Sequence, residues 1–346
     1  MPIRNLPIRR TLATVAMSAI ALWSSGSAAD LLRVDNFGSN PGDLQMFKLV
    51  PPSLPASAPL VVALHGCTQR AADYDDETGW TALAQRFGFA LLLPQQQEQN
   101  NSRLCFNWFN GWAFSDLWLW HEWGSDQTRD DGEALSIKQM IDRMRTDHNI
   151  DARQIYITGL SAGGAMTAVM LAVYPELFAG GAIIAGVPYK CATNGTESLT
   201  QCGVDLTRSG SVPISDLSPS AWRQRVRSAS SHAGPWPRVS IWHGTADKTV
   251  RPENARELLE QWSAVHGIDQ IPEVETIVKG FPHRTYRDTS GRAVIETYTV
   301  NGMGHGVPVD PGRATDQCGL PGTHVFAVGI CSSFYIGRFW GLISLN

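Results

Sequence analysis

The chain has 346 residues, of which 43% are hydrophobic and 17% charged, and carries a formal net charge of −4 at pH 7. That balance excludes a disordered chain and fits a globular protein with a substantial core. No Lys/Arg-rich run follows the first ten residues, so the electrostatic footprint of a nucleic-acid partner is missing.

The N-terminus reads as an export signal. Arg4, Arg9 and Arg10 supply positive charge, and residues 12–22 are apolar apart from Thr14 and Ser18. Ser27-Ala28-Ala29 then places small residues before a cleavage point ahead of Asp30. The expected organisation is a signal peptide over 1–29 and one continuous domain over 30–346. The apolar run is too short to span a bilayer, so no membrane anchor is expected after cleavage. The product is expected to be secreted, with periplasmic retention as the alternative. Oligomeric state is not legible at this level.

Buried-strand patterns fall over 60–64, 89–93, 154–158, 182–185, 239–242 and 295–300. Residues 51–59 are proline-rich and read as a loop between two strands. Helices are expected near 78–87, 133–146, 162–174 and 252–266. The last starts with Pro252 in the first turn and stops at Gly267. Buried strands alternating with helices predict an α/β fold, a doubly wound and mostly parallel sheet with helices on both faces. Residues 191–237, rich in Ser, Gly and Thr, break the rhythm and read as an excursion from the core.

Gly159-Leu160-Ser161-Ala162-Gly163 matches G-x-S-x-G between an expected strand and an expected helix. This is the setting of a nucleophile elbow, where small neighbours let the serine sit exposed on a strained turn at a helix N-terminus. A serine hydroxyl needs a base within hydrogen-bond reach. His305, in Gly302-Met303-Gly304-His305-Gly306 just after the strand over 295–300, is the candidate. Asp247 follows the strand over 239–242 by a short turn and is the candidate acid, able to fix the histidine tautomer. The strand over 60–64 runs into His65-Gly66-Cys67. The N–H groups of Cys67 and Ala162 are therefore the expected oxyanion donors, and His65 is expected to orient the loop.

Eight aromatic residues crowd into 106–123, which is either an apolar groove for substrate or a loop packed on the sheet. Trp108, Trp112 and Trp242 are the candidate substrate contacts. The six cysteines agree with export. Many pairings are open to them, and short loop closure favours Cys191–Cys202 and Cys318–Cys331, which leaves Cys67–Cys105. No C-x-x-C pair and no H-E-x-x-H helix occurs, and neither a metal nor a cofactor is expected.

Together, Leu64-His65-Gly66-Cys67-Thr68-Gln69, Cys105-Phe106-Asn107-Trp108-Phe109, Gly159 to Met166, Trp242 to Asp247 and Gly302 to Gly306 resemble the motifs of the poly(3-hydroxybutyrate) depolymerase family of esterases. The resemblance runs from about Gly38 to the C-terminus. It implies an α/β-hydrolase fold, no metal, a Ser161–Asp247–His305 triad and Cys67 and Ala162 as oxyanion donors. Many secreted members carry a linker and a separate polymer-binding domain. This sequence shows neither, so inefficient attack on crystalline polymer is expected. The expectation is a secreted serine esterase of short-chain polyhydroxyalkanoates or their oligomers. The alternatives are a feruloyl or acetyl esterase of plant polysaccharide, and a non-catalytic polymer-binding protein.

Overall fold

The computed structural model describes Met1, residues 31–109 and residues 127–344 other than 206, 208, 210 and 211. The expected signal peptide over 1–29, Met1 apart, and most of the aromatic stretch, Trp112 included, lie outside the described residues.

The chain opens with β1 (Leu32–Val34), β2 (Gln45–Leu49) and β3 (Ala58–Leu64), then helices α1 (Ala71–Glu77) and α2 (Trp80–Phe87) and strand β4 (Ala90–Gln95). Next come α3 (Gly132–His148), β5 (Ile150–Leu160), α4 (Ala162–Val173) and β6 (Gly180–Ile184). Two short helices follow, α5 (Gly195–Gln201) and α6 (Pro219–Arg227), then β7 (Arg238–Gly244) and α7 (Asn254–His266). The chain closes with β8 (Val274–Val278), β9 (Phe281–Arg287), β10 (Ala293–Val300), β11 (Val307–Val309), β12 (Val325–Ala327) and α8 (Ser332–Trp340).

Ten strands form one sheet in the order β1-β2-β4-β3-β5-β6-β7-β10-β9-β8. The stretch from β4 to β10 is parallel, and antiparallel strands complete both edges. The six central strands are those expected from the sequence. They are buried on both faces: Leu60, Val62 and Leu64 of β3 enter one core, while Val61 and Ala63 enter the other. The edge strand β8 is mostly exposed and carries no such run.

Helices cover both faces. On one side α3 presents Ile137, Met140, Ile141 and Met144 at helical spacing, beside α4, in which all twelve residues are buried. On the other side Trp340 of α8 stacks 4.8 Å from Tyr156 of β5 and 5.9 Å from Trp80 of α2. A buried aromatic of this size contributes about 2–3 kcal/mol relative to exposure. Within the excursion over 191–237, α6 packs on α7, with Trp222 Nε1 donating to Glu257 Oε2 at 2.8 Å. An isolated bridge joins Val204 to Val250, so the excursion also touches the loop after β7.

The strand order reverses around β3, with β4 on one side and β5 on the other. Open α/β sheets bind ligands beyond the carboxyl ends of strands at such a reversal. β3 ends there in the His65 loop, and β5 ends in Ser161.

Candidate active site

Ser161 has φ 57° and ψ −117°, a backbone conformation that costs a non-glycine residue about 1–3 kcal/mol. Its neighbours over-determine the turn. The Ser161 N–H donates to Ile184 O at the end of β6 (2.9 Å), and the Ser161 carbonyl accepts from Ala165 N (2.8 Å). A Cβ on Gly163 would lie 2.4 Å from Leu64 O and 2.5 Å from His65 O. Only glycine lets α4 start this close to the end of β3. The hydroxyl of Ser161 is half-buried and has no hydrogen-bond partner among the described residues.

Asp247 and His305 come from neighbouring strands, β7 and β10. Their loops are stitched together by Thr245 N to Val300 O (3.1 Å), Ala246 N to Met303 O (2.9 Å) and Gly302 N to Thr245 Oγ1 (2.8 Å). Asp247 Oδ1 accepts from the N–H groups of Thr249 (2.8 Å) and Val250 (3.0 Å). Oδ2 accepts from His305 Nδ1 at 2.7 Å and lies 3.3 Å from His243 Nε2. Burial pushes the Asp247 carboxyl up, but hydrogen bonds from His243 and His305 outweigh it and hold the group well below the usual carboxylate range. An ionised acceptor at Nδ1 assigns the proton there and leaves His305 Nε2 free to accept one. His243 Nε2 also faces Val250 O at 2.9 Å, so that nitrogen carries its proton, and its buried Nδ1 has no partner.

The loop after β3 is fixed by His65. The ring is fully buried, accepts from Gln96 N through Nε2 (3.2 Å) and donates through Nδ1 to Gly66 O (2.7 Å). Burial lowers its pKa to about 4, so it stays neutral near pH 7. Cys67–Cys105 ties the loop to the start of the aromatic stretch, as does Thr68 N to Arg103 O at 2.7 Å. Gln69 takes up the Gly66 N–H (2.9 Å). The N–H groups of Cys67 and Ala162 donate to no acceptor among the described residues.

This serine, histidine and carboxylate arise in the order of an α/β-hydrolase triad, each at the carboxyl end of a parallel strand. Residues 46–273 match the model of the family described as esterase PHB depolymerase. The chain belongs to that family. The esterase is 50% identical over 343 residues to poly(3-hydroxyalkanoate) depolymerase C of Paucimonas lemoignei, covering 98% of this chain and 77% of the relative. It is 30% identical over 297 residues to feruloyl esterase B of Talaromyces stipitatus, covering 85% of this chain and 77% of the relative. Among solved structures, acetyl xylan esterase from Aspergillus awamori superposes with a TM-score of 0.70 at 24% identity, covering 91% of this chain and all of that one, and shares the fold. The esterase is an α/β-hydrolase and a carboxylic ester hydrolase.

Two of the three tryptophans expected at the substrate are described, and one expectation is corrected. Trp242 is fully buried in the esterase, stacked 3.8 Å from Tyr298, with Nε1 donating to Ser240 Oγ (2.8 Å). A strand covered on both faces has no wet side, so Trp242 is core and not a substrate contact. Trp108 is 7% exposed and packs edge-on against Phe109. Trp112 lies outside the described residues.

The cysteines pair as Cys67–Cys105, Cys191–Cys202 and Cys318–Cys331. Carboxylates of Asp216, Glu257 and Glu260 converge as a metal site would, but the Arg256 guanidinium already lies 2.5 Å from Glu257, 2.7 Å from Glu260 and 3.5 Å from Asp216. Sequence reasoning missed the partnership of His243 with Asp247. The signal was present, because His243 stands four residues before the acid at the end of the same strand.

Proposed function

We propose that this esterase hydrolyses short-chain polyhydroxyalkanoate, poly(3-hydroxybutyrate) or its oligomers, through Ser161, His305 and Asp247. The observation that carries the reading is the 2.7 Å bond from His305 Nδ1 to Asp247, which leaves Nε2 free at the same carboxyl edge of the sheet where Ser161 stands strained and unpartnered. His305 takes the hydroxyl proton as Ser161 attacks the ester carbonyl. The N–H groups of Cys67 and Ala162 hold the oxyanion; losing one such donor costs about 10²–10³ in turnover. The leaving hydroxyl departs with the proton from His305, giving a hydroxyacyl-enzyme, and water repeats the sequence.

The 50% identity with a poly(3-hydroxyalkanoate) depolymerase supports this substrate. A second reading, a feruloyl or acetyl ester of plant polysaccharide, is supported by the relative named feruloyl esterase B. Secretion after loss of residues 1–29, leaving 30–346 as a single catalytic domain, fits the three disulfides. It also fits the finding that no helix of the described residues is long and apolar enough to cross a membrane.

The test is hydrolysis of a poly(3-hydroxybutyrate) suspension, of feruloylated xylan and of p-nitrophenyl butyrate by wild type beside Ser161→Ala. Clearing of the polymer with release of 3-hydroxybutyrate, abolished in the variant, is expected. Serine-dependent release of ferulate without attack on the polyester would move the substrate to the second reading. Activity retained by Ser161→Ala would remove the nucleophile assignment.

A further inference from the structure

Among the buried polar side chains that the mechanism above leaves unused, Gln69 stands beside the loop after β3. Gln69 is 3% exposed, and both ends of its carboxamide are engaged. Oε1 accepts the Gly66 N–H at 2.9 Å, and Nε2 donates to Thr323 O at 2.8 Å. The donor on one side and the carbonyl on the other leave a single orientation of the amide.

What Gln69 grips at each end sets its role. At one end is the loop that presents the Cys67 N–H. Because Gln69 consumes the Gly66 N–H, the following N–H is the one left for substrate. At the other end is the turn over 322–325. His324, held at φ 60°, donates through Nδ1 to His305 O (3.1 Å), and its carbonyl accepts from Val307 N (2.9 Å). Strand pairing continues the join, with Val307 opposite Val325. His305 and His324 rings meet edge to face at 5.7 Å. One hydrogen-bonded chain therefore runs from Gly66 through Gln69, Thr323 and His324 to the backbone of His305.

We infer that Gln69 is a positioning residue that holds the oxyanion loop and the turn bracing the general base at a fixed separation. This rests on the reading of Cys67 as an oxyanion donor. The two parts act on the same tetrahedral intermediate, one on its oxygen and the other on its protons, so an error in their separation is felt in the transition state. A misplacement of about 1 Å costs on the order of 10²-fold in rate.

The experiment compares wild type with Gln69→Met, which has similar length and neither hydrogen bond, and with Gln69→Glu, which keeps the acceptor for Gly66 but faces Thr323 O with a second acceptor. A fluorophosphonate titration counts folded sites, so turnover is reported per reactive serine. For p-nitrophenyl butyrate, kcat per site falls about 10–10²-fold in both variants while KM stays within about threefold. The Ki of butylboronic acid, whose tetrahedral adduct uses the oxyanion site, rises in step with the loss of kcat. A purely structural role would lower the number of titratable sites and leave kcat per site unchanged, and that result overturns the inference. If Gln69→Met does not fold, Gln69→Glu carries the same readout. Ser161→Ala runs beside them. An inert Ser161→Ala with an unimpaired Gln69 variant overturns this inference alone, whereas an active Ser161→Ala overturns the nucleophile assignment and this inference with it.

Discussion

The two halves of the candidate site are built by different means. The Ser161 turn is specified by backbone crowding: Gly163 has carbonyl oxygens within 2.5 Å of where a Cβ would stand. The Asp247–His305 half combines crowding at Gly244, whose Cβ would lie 2.3 Å from Met303 O, with hydrogen bonds that converge on one carboxylate. A Cβ on Gly304, next to the base, would meet nothing within 4 Å. Glycine is thus a steric necessity beside Ser161, whereas around His305 it is one at Gly306, whose Cβ would lie 2.5 Å from His324 O, and dispensable at Gly304. At a crowded glycine a single added Cβ should be felt at once, while the open position at Gly304 should accept one.

The largest expected effects test the chemistry shared by both halves. His305→Ala should lower kcat/KM for p-nitrophenyl butyrate by about 10⁶-fold, as Ser161→Ala should. Asp247→Asn should cost about 10⁴-fold, because it favours the wrong tautomer of His305. Equal and small losses from all three would dissolve the triad.

A pair of glycine substitutions bears on the contrast itself. Gly163→Ala should reduce kcat about 10²-fold and destabilise by about 1–3 kcal/mol, since Leu64 and His65 must shift. Gly304→Ala should leave stability within about 0.5 kcal/mol and activity nearly intact. Thermal melts and steady-state kinetics on the two variants decide the matter, and a reversed order would remove the distinction.

Smaller again is His243→Phe, which takes one of four donors from Asp247. A drop in kcat/KM of about tenfold is expected, with the Asp247 carboxyl rising toward the usual range. An unchanged pH–rate profile would mean that His243 serves Val250 O alone.

The last effect lies in stability alone. His65 is buried with its pKa lowered to about 4, against 6.5 when unfolded. Between those values the unfolded chain binds more protons, so stability rises with pH. Acidification from 6.5 to 4 should remove on the order of 3 kcal/mol through His65. Urea unfolding at stepped pH measures this slope, and His65→Gln should flatten it.

Much of this was legible from residue order. Short apolar runs marked five of the six central strands, because parallel strands buried on both faces leave hydrophobic stretches, and the sixth, over 295–300, alternates instead. Edge strands such as β8, with exposed Glu275, Thr276 and Ile277, left no run to read. The candidate triad was legible because each member follows a strand end directly. Trp242 misled because a tryptophan at a strand end resembles a substrate contact until the layer covering it is known. Gln69 was out of reach for another reason: its partner Thr323 lies 254 residues away, and no local pattern encodes such a pair.

That separation also has a meaning in time. A ribosome adds about 5–20 residues per second, so roughly ten to fifty seconds pass between the emergence of Gln69 and that of Thr323. From the point at which Ser161 is added, the nascent chain holds the candidate nucleophile and lacks the turn that Gln69 grips. A chain ending between Ser161 and Thr323 therefore carries the candidate serine without the contact that joins the loop after β3 to the turn over 322–325.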